Sequence, residues 1–184
     1  MPRLVAFLRA INVGGHNVTM EELRRLFEDL GAGGVETFIA SGNVIFTSRS
    51  KGIQALELRI EDHLRTSLGY EVSTFVRTEG EVATIAGYRP FRESLLQGAA
   101  ALNIGFLARP LSSEARKTLL ALKTDIDDFH VQGREVYWLC RRKQSESTFS
   151  NVLFERTLKV RATFRAMSTI TKLAAKYGLS VAAV

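Results

Sequence analysis

Residues 1–77 and 98–184 run through the same order of hydrophobic periods, and this doubled order restricts the fold more than any other feature of the chain. In the first stretch Leu4, Ala6 and Leu8 alternate with Val5, Phe7 and Arg9, which predicts a strand. Met20, Leu23, Leu26, Phe27 and Leu30 then share one helical face; Thr19 and Glu22 form a capping box ahead of it and Gly31 closes it. Residues 35–40 and 44–47 are β-rich runs around Ser41-Gly42-Asn43, where Gly and Asn tolerate the positive φ of a hairpin turn. Ile53, Leu56, Ile60, Leu64 and Leu68 mark a second helix, and residues 71–77 a fourth strand.

A connector follows at 78–97, with a short helix expected over 79–86 and an irregular run through Tyr88, Arg89-Pro90 and Gly98. The order then begins again. Leu102, Ile104 and Phe106 alternate; Ser112 or Ser113 leads into a helix with Ala115, Leu119, Leu120 and Leu122; residues 125–131 and 135–140 flank Gln132-Gly133-Arg134. A helix through Phe149, Val152, Leu153 and Leu158, a strand over 161–165 and an extra final helix through Ile170, Leu173, Ala174 and Tyr177 complete the chain.

Strand-helix-strand-strand-helix-strand is the order of a ferredoxin-like unit, an antiparallel four-stranded sheet with two helices on one face. The expected architecture is therefore α+β, with two ferredoxin-like subdomains at 1–77 and 98–184. In that topology the first and third strands are central antiparallel neighbours, so the end of one meets the start of the other. Arg9, Asn12, Gly14 and Gly15 are thereby expected beside Ser41, Gly42 and Asn43.

The segments Leu8-Arg9-Ala10-Ile11-Asn12-Val13-Gly14-Gly15 and Ile39-Ala40-Ser41-Gly42-Asn43-Val44 resemble the bacterial domain of unknown function 1697 family. Thr163-Phe164-Arg165 with Thr169-Ile170-Thr171-Lys172-Leu173 is similar to that family's C-terminal motif. The resemblance implies two ferredoxin-like subdomains in a bacterial protein and supplies no reaction. This chain departs from the family pattern at Ala10, His16, Ala40 and Ala166-Met167, where glycine, lysine, glutamine and Asn-Trp are usual.

Charge is unevenly placed along the chain. Residues 141–184 hold nine Lys or Arg against two Glu, whereas residues 1–140 net −1. Such asymmetry favours an anionic partner, with nucleic acid or nucleotide first, although basic side chains also serve simply as a solvated face. No run approaches the 18 or so apolar residues of a membrane span, and the apolar start 4–8 is too short for a signal peptide, so no membrane partner is expected. Cys140 is the only cysteine, which suits a reducing, cytoplasmic setting.

The candidate ligand-binding residues are Arg9, Asn12, Gly14, Gly15, Ser41, Asn43, Arg165, Thr169 and Lys172. Free N–H groups around Gly14-Gly15 would meet a phosphate or carboxylate that Arg9 clamps. Against this, no phosphate-loop spacing is present and Glu21 and Glu22 already occupy the first helical turn, so the same residues equally suit a tight loop tied to the hairpin. Ser41 invites a nucleophile reading with His16, yet Ser41 and Asn43 also suit side-chain bonds to their own turn. Ser168 is expected to cap the final helix, placing Thr169 near Arg165 with Lys172 one turn on, either for an anion or as a polar seal. Asp125 and Asp127 read as the exposed side of a strand edge, and three scattered histidines with one cysteine argue against a metal; no cofactor is expected. Phe7 and Phe46, on central strands, suit base stacking only if their face is open, and otherwise bury against the helices or the other subdomain.

Overall fold

The computed structural model describes residues 1–39 and 42–178. The chain is α+β, with two four-stranded antiparallel sheets. It divides into two compact units, one of Met1–Ile85 with the residues from Leu173 onward, the other of Ala86–Lys172.

In the first unit β1 (Arg3–Leu8), α1 (Met20–Asp29), β2 (Gly33–Thr37), β3 (Asn43–Thr47), α2 (Ile53–Leu68) and β4 (Thr74–Thr78) give the sheet order β2-β3-β1-β4, the ferredoxin-like arrangement. Alternation fixes both faces of this sheet. Leu4, Ala6 and Leu8 pack with Phe46, Phe27, Ile60 and Leu64 under the helices, and the Phe27 and Phe46 rings meet edge to face at 5.2 Å. Val5, Phe7, Ile45, Phe75 and Arg77 point to the other side and are at most 1% exposed. Phe7 and Phe46 thus lie on opposite faces and both are buried, so neither offers an open ring to a base.

β2 ends earlier than the composition of 35–40 predicts. Phe38 N still donates to Asn43 O at 2.9 Å, but Ile39 adopts φ +57°, a left-handed conformation that cannot continue a strand.

After α3 (Glu79–Gly87) and α4 (Glu93–Gln97), the latter a helical turn where an irregular run was expected, the second unit repeats the order. β5 (Ala101–Phe106), α5 (Ser113–Leu120), β6 (Asp127–Gln132), β7 (Glu135–Cys140), α6 (Asn151–Leu158) and β8 (Thr163–Ala166) form the sheet β6-β7-β5-β8. Its helix side is an aromatic core of Phe129, Trp138, Phe149 and Phe154 around Leu119 and Val136. Ser112 and Ser150 cap α5 and α6 by accepting from Ala115 N and Leu153 N, each at 3.1 Å.

Two local expectations are corrected here. α7 (Met167–Lys176) starts directly after β8, so Ser168 is a residue of the helix rather than its cap. Asp127 is 1% exposed, not on an exposed strand edge: Trp138 Nε1 donates to it at 2.7 Å and Ser147 Oγ at 2.7 Å, because the loop before α6 folds over this end of β6. Among the described residues no helix is long and apolar enough to cross a membrane.

Candidate functional site

The two polar turns meet. β1 and β3 pair antiparallel with Phe7 opposite Asn43, and Leu8 N donates to Gly42 O at 2.8 Å. On the other flank Arg9 N donates to Ser73 O at 2.9 Å, so the exit of β1 is held from both sides. Gly42 has φ +74°, and a Cβ there would fall 2.9 Å from Ile11 Cγ2 and 3.2 Å from Leu8 Cβ; only glycine lets the hairpin approach the loop this closely. Asn43 is buried, and its Nδ2 donates to Phe38 O at 2.9 Å.

The loop between β1 and α1 is pinned by its own polar groups. Asn12 Oδ1 accepts from Val18 N at 2.7 Å, and Tyr70 Oη donates to Ile11 O at 2.7 Å. Gly14 and Gly15 lie in the left-handed region, as does Ala10 at φ +55°, where a Cβ is a strain that glycine would avoid. His16 stacks on Tyr70 with ring centroids 3.7 Å apart, and burial together with the Glu22 charge pushes the Tyr70 phenol above its ordinary range. Tyr70 escaped sequence reading because it follows the helix-ending Gly69 and belongs to no periodic pattern. Thr19 Oγ1 accepts from Glu22 N at 3.1 Å, the N-cap half of the expected capping box.

Between the turns opens a pocket of about 230 Å³. Asn12, Asn17, Thr19, Thr37 and Asn43 line it together with Ile11, Val18 and Leu23. Met20 and Ile39 form exposed apolar parts of its wall, 40% and 47% accessible. Arg9 is half-buried beside Ser73, and Gly14 and Gly15 are exposed in the loop. Ser41, with Ala40, lies outside the described residues.

The C-terminal candidates belong to the second unit. Arg165, on β8, is 8% exposed; its Nη1 donates to Thr163 Oγ1 at 2.7 Å and Phe164 O at 2.9 Å, and burial pushes its pKa down to about 10. Thr169 is half-buried and Lys172 exposed, both on α7. Unit Ala86–Lys172 carries 15 Lys or Arg against 8 Asp or Glu, a net of +7, while the remainder of the chain nets −1. Among the described residues no group of His, Cys, Asp and Glu could hold a metal ion. Cys140 is fully buried, and burial pushes its thiol above the ordinary range, which removes it as a reactive group.

A solved structure described as the conserved bacterial protein SP0830 from Streptococcus pneumoniae matches with a TM-score of 0.77, covering 97% of this chain and 99% of that one at 23% identity, a likeness of fold. No curated protein matches the chain. The family model described as "Protein of unknown function (DUF1697)" matches residues 1–137, which contain the paired turns and the pocket between them. The chain therefore belongs to the DUF1697 family.

Proposed function

We propose that the protein is a bacterial, cytoplasmic binding module for an anionic partner, with a nucleic acid or nucleotide as the first candidate. The observation that carries this reading is the net +7 confined to the compact unit Ala86–Lys172. Arg142, Lys143, Arg156, Lys159, Arg161 and Lys172 are exposed there. Arg165, being buried, serves the fold of β8 in this reading, and the exposed cations make the contacts. With Phe7 and Tyr137 at 0% and 1% exposure, bases have no open aromatic sheet to stack on, so binding is driven by phosphate charge and indifferent to sequence. A lone buried cysteine supports the cytoplasmic placement.

The test is fluorescence anisotropy of a labelled single-stranded oligonucleotide at rising salt. Binding at about 50 mM salt that weakens at least tenfold by about 200 mM, and is lost in the triple variant Lys143→Glu, Arg156→Glu, Lys159→Glu, is the expected result. No binding at the lower salt would remove the proposal.

A second reading, for which the meeting of the two polar turns speaks, is a small enzyme acting on a phosphorylated or carboxylated metabolite. In that reading Arg9 and Asn43 orient the substrate and Ser41 or His16 transfers the proton.

A further inference from the structure

We infer that the pocket between the paired turns is a binding site for a neutral, single-ring-sized ligand that carries both hydrogen-bond donors and acceptors, of the chemistry of a pyrimidine base or a cyclic amide. This goes beyond the polyanion reading, which rests on charge in the other unit and needs no pocket.

The lining sets the ligand's charge. No Lys, Arg, His, Asp or Glu is among the described residues that form the pocket. The charges in the first turn of α1, Glu21 and Glu22, are negative and oppose an anion at this helix start. Bringing a carboxylate or phosphate into such a cavity costs desolvation with no counter-charge among the described lining residues to offset it.

The polar groups set its hydrogen-bonding character. Asn12 uses Oδ1 for Val18 N, and among the described residues its Nδ2 has no partner, which leaves two N–H donors at the pocket. Asn17 is exposed and makes no side-chain bond among the described residues, so it offers both an acceptor and donors. Thr19 accepts from Glu22 N yet keeps its own hydroxyl proton to donate. Amides and hydroxyls present mixed donor and acceptor faces, the complement of an amide or lactam edge rather than of a purely accepting anion.

The apolar part sets size and driving force. About 230 Å³ is less than a drug-sized cavity and suits one ring. Ile11, Val18 and Leu23 supply apolar lining, and the exposed walls Met20 and Ile39 gain by being covered. Ile39 is also a β-branched residue held at φ +57°, a strained conformation of the kind concentrated at ligand sites.

The probes are uracil, N-methylacetamide, orotate (the carboxylated form of uracil) and inorganic phosphate, followed through the side-chain amide signals of Asn12 and Asn17 in nitrogen-edited NMR. Uracil is expected to shift both amides at millimolar concentration, more strongly than orotate or phosphate. Asn17→Ala, which removes no bond of the fold, weakens uracil about fivefold with an unchanged melting temperature; Asn12→Asp, which keeps the acceptor for Val18 N but removes the Nδ2 donors, weakens it similarly. Stronger shifts with orotate or phosphate overturn the inference in favour of an anion site. So does silence of both amides with all four probes, or undiminished uracil affinity in Asn17→Ala. None of these outcomes bears on oligonucleotide binding by the basic unit, so the two proposals fail separately.

Discussion

Arg77 and Arg165 hold the same position in the two repeats. Arg77 pairs with Val5 on the first strand of its sheet and Arg165 with Ile104 on the first strand of its own, and each Nη1 donates to the carbonyl of the preceding residue at 2.9 Å. Both are buried, at 0% and 8% exposure. The half-chains differ in sequence, yet each carries one buried guanidinium at this register point. A planar fork suits this place because it bonds its own backbone and still reaches other acceptors, which a lysine ammonium does less well.

Arg77→Ala and Arg165→Ala are therefore expected to cost about 2–4 kcal/mol each in urea unfolding, since each strands buried acceptors. Lysine substitutions recover only a minor part of the loss. A silent Arg77→Ala beside a costly Arg165→Ala would show the equivalence to be one of position only.

The outer edge of β4 is closed by three carboxylates. Glu61 Oε1 accepts from Thr74 N, Glu57 Oε1 from Val76 N and Glu81 Oε2 from Thr78 N, each at 2.8 Å, so α2 and α3 replace the missing fifth strand. In the second unit Glu155 Oε1 accepts from Ala162 N, the residue before β8, at 3.0 Å. Glu57→Gln keeps an acceptor and is expected to be mild, whereas Glu57→Ala leaves a buried N–H unpaired at about 1–3 kcal/mol. The double variant Glu57→Ala, Glu61→Ala exposes a templating edge, and light scattering is expected to show concentration-dependent association beyond that of the wild type. Unchanged association would mean that side-chain bulk, not hydrogen bonding, protects the edge.

Periodicity made the sheets legible, because period-two runs such as Leu4-Ala6-Leu8 commit a strand to one face and the helix stripes then leave one layer order. The closeness of the Asn12 loop to the Asn43 turn followed from that topology, with Gly42 as its local mark. Side-chain partners were less legible. Asn12 was expected to tie its loop to the hairpin, but it bonds Val18 within the loop, a choice that depends on the loop's path. Alternation puts Asp127 on a face but does not tell what covers it; the covering loop carries Ser147 from 20 residues away. The edge-capping glutamates look in sequence like ordinary polar positions of amphipathic helices, and only the edge position of β4 gives them a task.

Asp127 anchors the second unit. It accepts from Trp138 Nε1 and Ser147 Oγ, each at 2.7 Å, and from Thr124 Oγ1 at 3.3 Å. Asp127→Ala strands these donors and is expected to cost about 2–4 kcal/mol, with the near-ultraviolet circular dichroism of Trp138 reduced in the remaining folded protein. Ser147→Ala removes one donor while the tryptophan stays held, at about 1 kcal/mol. Equal losses in the two variants would mean that the hydroxyl, not the indole, is the main partner.

Glu36 on β2 gives stability a pH-dependent component. Its Oε2 accepts from Lys176 Nζ at 2.8 Å and Tyr177 Oη at 3.1 Å, and these bonds hold its carboxyl below the usual glutamate range. A folded-state pKa below the unfolded one means the unfolded chain binds the proton more tightly. The contribution is thus complete above the ordinary glutamate value and disappears as pH falls through the lowered one. The stability gap between wild type and Glu36→Gln is expected to be at most about 1 kcal/mol near pH 7, because the pair is exposed to solvent. It closes toward about pH 3 and shrinks in about 0.5 M salt. A gap that persists at both extremes would assign the contact to packing by Lys176, whose ammonium lies 5.7 Å from the Phe38 ring centre, and Tyr177, under Arg3 at 4.7 Å, rather than to charge.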